Sequence, residues 1–123
     1  MMYGATLVSL NFKGTSNSYK ELTLNSKNYD DLFEKEKNFN YGATIGRVSG
    51  KIANASYNLG EEVKLKRPPF HENGGTYGFG RHLWHKAEII KDFPLDGNKT
   101  GTGVMFSRTS EDKEEGFQGR IEI

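Results

Sequence analysis

The chemistry in this chain is concentrated between residues 70 and 84, FHENGGTYGFGRHLW, where Gly74, Gly75, Gly78 and Gly80 alternate with Phe70, His71, Tyr77, Phe79, Arg81, His82 and Trp84. Glycine lets a backbone adopt positive φ and approach a neighbour closely. Aromatic rings supply flat apolar faces, and Asn, His, Glu and Arg supply directional hydrogen-bonding groups. That mixture suits an uncharged polyhydroxylated ligand better than a phosphate or a metal ion. The same residues also suit a tight loop that caps an all-β core.

Other residue pairs invite chemistry and fit it less well. Glu114 and Glu115 are adjacent carboxylates. Neighbours on an extended strand face opposite sides, so they would not flank one glycosidic bond, and a solvated turn is the simpler reading. His82 and His85, with His71 nearby, have a spacing that converges on a metal only in a helix, which the surrounding glycines oppose. Residues 97–101, GNKTG, lack the core of a phosphate-binding loop.

The elements that must position these groups are short. At 123 residues the chain is one domain at most. Fifteen glycines and a hydrophobic fraction of 34% favour strands and turns. A net charge of +1 gives no basic excess for nucleic acid and no reason to expect an anionic membrane partner. No apolar run approaches the ~20 residues of a membrane-spanning helix, and the N-terminus lacks the pattern of a signal peptide. With no cysteine there is no disulfide framework, and a cytoplasmic location is the default.

Hydrophobic patterning predicts strands over residues 6–12, 21–24, 43–48, 52–59, 62–65, 87–93, 104–108 and 120–123. A hairpin turn is expected at 58–61 and a glycine-rich turn at 97–103. Residues 29–37 have helical spacing, with Tyr29, Leu32 and Phe33 on one face. Tyr3-Gly4-Ala5-Thr6 is echoed by Tyr41-Gly42-Ala43-Thr44, and both are taken as strand starts. The expected fold class is all-β, an antiparallel β-sandwich.

Three ordered blocks carry a family resemblance. The first is Tyr41 to Val48, YGATIGRV, followed by Ile52-Ala53 and Tyr57-Asn58-Leu59. The second is Gly74-Gly75, Gly78-Phe79 and Trp84. The third is Phe106-Ser107, Thr109-Ser110, Asp112, Glu114-Glu115-Gly116-Phe117 and Gly119. Together they resemble the GATIGRVANRIA, HGG-x-x-GF-x-x-x-x-W and FS-x-TS-x-DGEEGYPG blocks of the aldose 1-epimerases, or galactose mutarotases, from about Tyr3 to Ile123.

The resemblance implies part of that family's large β-supersandwich, as a single truncated domain over residues 1–123. It implies a free hexose such as galactose or glucose as ligand, in carbohydrate metabolism, and no cofactor. In the family a glutamate base and a histidine acid interconvert the anomers. Both are expected beyond Ile123, so no catalytic residue is assigned here and weak or absent catalysis follows. The family's Asn-Arg pair falls on Gly50 and Lys51, and the histidine of HGG falls on Asn73. Lys51 and Asn73 are therefore the candidate sugar-binding residues. His71 joins them as a substitute for the missing histidine, because residues two apart on an extended segment point the same way. Arg47 matches a family arginine and reads as structural, and Phe79 and Trp84 read as core. The alternative is a non-catalytic carbohydrate-binding or interaction module. Open sheet edges would in either case favour self-association.

Overall fold

The computed structural model describes residues 1–24, 28–34 and 39–123. Its regular structure is antiparallel β, in five two-stranded ladders. Strands β1 (Asn11–Lys13) and β2 (Tyr19–Glu21) form a hairpin. β3 (Lys51–Ala53) pairs with β6 (Phe70–Glu72), and β4 (Ser56–Asn58) pairs with β5 (Glu62–Lys64). β7 (Lys86–Leu95) and β8 (Lys99–Ser107) form the longest hairpin. β9 (Thr109–Ser110) pairs with β10 (Ile121–Glu122). The all-β antiparallel class expected from the sequence is the class observed.

Turn chemistry decides where the strands break. The expected continuous strand 52–59 is two strands, because Asn54 (φ 54°) and Ala55 (φ 47°) both take left-handed backbone and fold the chain between β3 and β4. The Asp96–Asn98 connection holds Gly97 at φ 71° and Asn98 at φ 59°, a conformation these residue types tolerate. Gly101 and Gly103, expected in a turn, lie inside β8. Residues 70–72, read only as loop, form the strand that pairs with β3. On the expected helix 29–37, a 3-10 turn covers Tyr29–Leu32 and is capped by the Asn28 side chain; residues 35–37 lie outside the described residues.

The segment 43–48 reads as a strand and is irregular, because its polar groups bond to loops rather than to a ladder. Thr44 N–H donates to Gly4 O at 2.9 Å, and Leu7 N–H donates to Gly42 O at 2.9 Å. The two YGAT segments therefore lie against each other. Residues 2–4 also run along 82–84: Gly4 N–H donates to His82 O at 2.8 Å and Trp84 N–H to Met2 O at 3.0 Å.

The apolar core is small. Ala55, Leu65 and Phe117 are buried together, with Ile52 and Tyr57 packed against them. Phe79 and Trp84 are buried with rings edge-to-face at 6.4 Å, and Trp84 Nε1 donates to Phe79 O at 3.2 Å. Both side chains are core, as their types suggest. By contrast Ile89, Phe93, Leu95 and Val104 on the β7–β8 hairpin are more than half exposed. Among the described residues no helix is long and apolar enough to cross a membrane.

Candidate functional site

The three sequence blocks converge. Arg47, from the first, reaches the third with a fan of hydrogen bonds: Nε donates to Ser110 Oγ at 2.9 Å, one terminal nitrogen donates to Gln118 O at 3.0 Å, and the other donates to Ser110 O and Glu111 O at 3.1 and 2.7 Å. Its guanidinium also lies 5.8 Å from the Phe117 ring centroid. A planar fork with fixed donors can satisfy several carbonyls at once. The structural reading of Arg47 holds.

Glu115 ties the third block to the second. It is only 7% exposed, and its carboxylate accepts from the backbone N–H groups of Thr76 and Tyr77 at 3.3 and 3.2 Å. Glu114 is mostly buried as well, so the solvated turn read for this pair is wrong. The physical reason is local: the chain is in the left-handed region at Lys113 (φ 67°) and Glu115 (φ 51°), which turns both side chains inward.

The glycines of the central block serve packing. A Cβ on Gly74, at φ 84°, would sit 1.5 Å from Gly46 O, and one on Gly78 would sit 2.3 Å from Asn73 O. Gly46 itself presses on the Phe79 ring, and its carbonyl accepts from Phe79 N–H at 3.1 Å. The first and second blocks thus meet backbone to backbone, an approach that glycine allows.

Around this junction lies a hollow of about 60 Å³ lined by Asn40, Arg67, Glu72, Asn73 and Arg81, with Gly75, Gly78 and Gly80 in its wall. Asn73 is the candidate sugar ligand that lies in it. At φ 51°, Asn73 has left the strand, and it clamps Gly50: its N–H donates to Gly50 O at 2.9 Å while its Oδ1 accepts from Gly50 N–H at 2.9 Å. With Oδ1 so engaged, the amide nitrogen is the part of Asn73 suited to a ligand hydroxyl.

Lys51 is beside the hollow rather than in its lining. Its ammonium stands 3.9 Å from Glu72 across the β3–β6 ladder and 4.7 Å from the Phe70 ring centroid. His71 is fully buried and points the other way. Its Nδ1 lies 3.0 Å from Lys66 O and its ring meets Phe117 edge-on at 5.0 Å. The expected alignment of His71 with Asn73 fails because the strand ends at Glu72 and Asn73 turns left-handed. As placed, His71 cannot touch a ligand in the hollow.

Sequence reading missed Arg67 and Asn40, and no spacing rule marks them. It also missed a network behind Phe79. Arg108, 7% exposed and 5.2 Å from the Phe79 ring centroid, donates to Glu114 at 2.5 Å. His82 Nε2 stands 2.9 Å from the same carboxylate, and Ser110 Oγ donates to its other oxygen. Burial pushes the Glu114 carboxyl up, but Arg108, Ser110 and His82 together outweigh it and hold the group below the usual carboxylate range. Burial, aided by the Arg108 charge, pushes the His82 imidazole down against the pull of Glu114. The network is a charged strut between the second and third blocks.

The family model for aldose 1-epimerase matches residues 1–123. The chain is similar to galactose mutarotase from Bos taurus, with 30% identity over 98% of this chain and 32% of that protein. It is also similar to aldose 1-epimerase from Escherichia coli strain K12, with 29% identity over the same shares of each chain. The crystal structure of a GalM/aldose epimerase homologue from C. elegans superposes with a TM-score of 0.74 at 24% identity, covering 98% of this chain and 34% of that one. The fold is thus that of part of the galactose mutarotase-like β-sandwich. This chain belongs to the aldose 1-epimerase family. It spans about a third of the length of the curated relatives it matches.

Proposed function

We propose that this chain recognises free hexoses such as galactose or glucose at the hollow beside Asn73, as an aldose 1-epimerase-like protein of carbohydrate metabolism. The observation that carries the reading is that the first and third motif blocks pack against the second, whose Asn73 lines the hollow, with Lys51 one ion pair away through Glu72. In this reading the amides of Asn40 and Asn73 and the guanidinium groups take hydroxyls by hydrogen bonds.

Mutarotation needs a base at the anomeric hydroxyl and an acid at the ring oxygen, both within hydrogen-bond reach. Among the residues that line the hollow, Glu72 is the one carboxylate, and the arginines stay protonated. Among the described residues that line the hollow there is no second titratable group to pair with Glu72, which supports weak or absent mutarotation as the expected behaviour. A non-catalytic carbohydrate-binding module is the second reading. It is favoured by Gly50 and Asn73 being bonded to each other where the resemblance puts an asparagine and a histidine.

Polarimetry of fresh α-D-galactose and α-D-glucose, alongside chemical-shift titration, tests both parts. Saturable shifts at Asn40 and Asn73 with little acceleration are expected. Strong acceleration would overturn the catalytic part. No saturable shift at about tens of millimolar sugar would overturn the recognition part.

A further inference from the structure

We propose that the outer edge of β8 is a self-pairing surface, through which two copies of this chain join their β7–β8 hairpins into one antiparallel four-stranded sheet of order β7–β8–β8–β7. The two strands of the hairpin pair with each other and, among the described residues, with no further strand. A two-stranded ribbon is marginal in water on its own. The far end of β8 shows which of its backbone groups face outward. Ser107 pairs with Lys86 of β7, and the next residue, Arg108, exchanges both of its backbone hydrogen bonds with Ile123 at 2.9 Å. Bonding direction alternates along an extended antiparallel strand. Counting back by twos from Arg108, Phe106, Val104, Thr102 and Thr100 therefore turn their N–H and C=O away from β7.

The two edges of the ribbon differ. β7 is blunted: Pro94 has no N–H, the ladder shifts between Ile90 and Phe93 with Asp92 at φ 55°, and Glu88, Lys91 and Asp92 are charged. β8 has none of these devices, since residues 100–107, TGTGVMFS, carry no charge and no proline. An edge of that kind is a template for another strand. A second copy fits it in one register. With Gly103 on a two-fold axis, Val104 lies opposite the second copy's Thr102 and Phe106 opposite its Thr100, so every outward residue meets an outward residue. A Cβ on Gly103 would meet nothing within 4 Å, so the axis position is open. Val104 and its cross-strand neighbour Ile89, 51% and 67% exposed, share one face of the ribbon. In this register the two Val104 side chains become diagonal neighbours on that face. A net charge of +1 per chain opposes the contact little. The outer edges of the joined sheet are the blunted β7 strands, so growth stops at two copies.

The test is sedimentation velocity on the full chain from about 10 μM to about 1 mM, with amide hydrogen exchange at both ends of that range. Monomer and dimer alone are expected, and exchange at residues 100, 102, 104 and 106 should slow about tenfold or more in the concentrated sample. Val104→Lys, at an exposed side chain, and Thr102→Pro, which removes an outward N–H, should each weaken dimerisation about tenfold or more. A well-dispersed amide spectrum of each variant shows that it folds. The chain has no cysteine, so Gly103→Cys gives a single thiol. In the register above the two Cα atoms at this position stand about 4.5 Å apart, a separation that a disulfide spans. Mild oxidation should therefore link Gly103→Cys into a covalent dimer faster than Glu111→Cys, which is exposed and outside the hairpin. A monomer throughout, a dimer that both Val104→Lys and Thr102→Pro leave intact, or equal cross-linking of the two cysteine variants would each overturn the proposal. Growth into larger assemblies would overturn it too, since β7 would then be an open edge. If the chain stays monomeric and an added peptide of alternating valine and threonine shifts the β8 amides, the edge belongs to a foreign strand and the two-copy assignment is wrong.

Discussion

Replacing Glu115 by alanine removes the tie between the second and third blocks. The carboxylate accepts two backbone hydrogen bonds, from Thr76 and Tyr77, at 3.3 and 3.2 Å. Hydrogen bonds to a charged partner are worth about 1.5–3 kcal/mol each. Here both are long and the donors are partly buried, so water compensates in part and the low end applies, with a total of about 2–3 kcal/mol. Glu115→Gln keeps an oxygen but loses the charge, so about half that loss is expected. Domains of this size unfold with a few to about 15 kcal/mol, so the alanine variant loses a substantial fraction of its stability. At about 4 °C per kcal/mol, its thermal midpoint should fall by about 8–12 °C. The assay is thermal and urea unfolding followed by circular dichroism, with the exposed Glu111→Gln as control. If Glu115→Ala and Glu115→Gln both unfold within about 0.5 kcal/mol of the parent chain, the carboxylate is not bridging the blocks and the convergence described above is wrong.

Gly74→Ala should be more damaging than an ordinary surface change, because its Cβ would meet Gly46 O at 1.5 Å with the backbone at φ 84°; loss of amide dispersion in a heteronuclear spectrum is the readout, with Gly60→Ala, which meets nothing within 4 Å, as the comparison. Stability should fall on acidification. His82 sits below its ordinary 6.5 and Glu114 below its ordinary 4.5, so each contributes fully above those values, and the contribution is lost as pH drops through the lower folded-state pKa. His82→Gln should flatten the first part of that loss, just below pH 6.5, in denaturant titrations across pH. Finally, the exposed apolar residues on β7 and β8 should drive concentration-dependent association visible by sedimentation velocity, reduced by Phe93→Lys; a monomer at all concentrations would refute this.

The β class was legible because it rests on local chemistry: short apolar runs punctuated by Gly, Asn, Asp and Pro. Element edges were less so. The break at Asn54 and Ala55 needs an alanine at positive φ, which no propensity predicts. Residues 70–72 read as loop because the signal around them is dominated by Pro68, Pro69 and the glycines, and only the partner strand β3 reveals them as a strand.

The lining of the candidate hollow was legible only in part. Asn73 was reached through its motif position, and it lines the hollow. His71 was not separable from it by spacing, since the alternation of a strand holds only while the strand lasts. Arg67 and Asn40 gave no signal, because neither belongs to a motif block: Asn40 stands just before the first block and Arg67 in the loop that leads into β6.

The family blocks themselves were fixed by sequence: which glycines, which arginine, which paired glutamates, and in what order. Sequence could not say what those residues do, since a carboxylate or a guanidinium acquires a role only from what it faces. Tertiary structure turned Arg47 and Glu115 into the ties between blocks, turned the glycines into points of backbone contact, and left Asn73 and two arginines around the open space. The physical reason is that hydrogen bonds and close packing act over a few ångströms in space, whereas the residues that make them here stand as many as 71 positions apart.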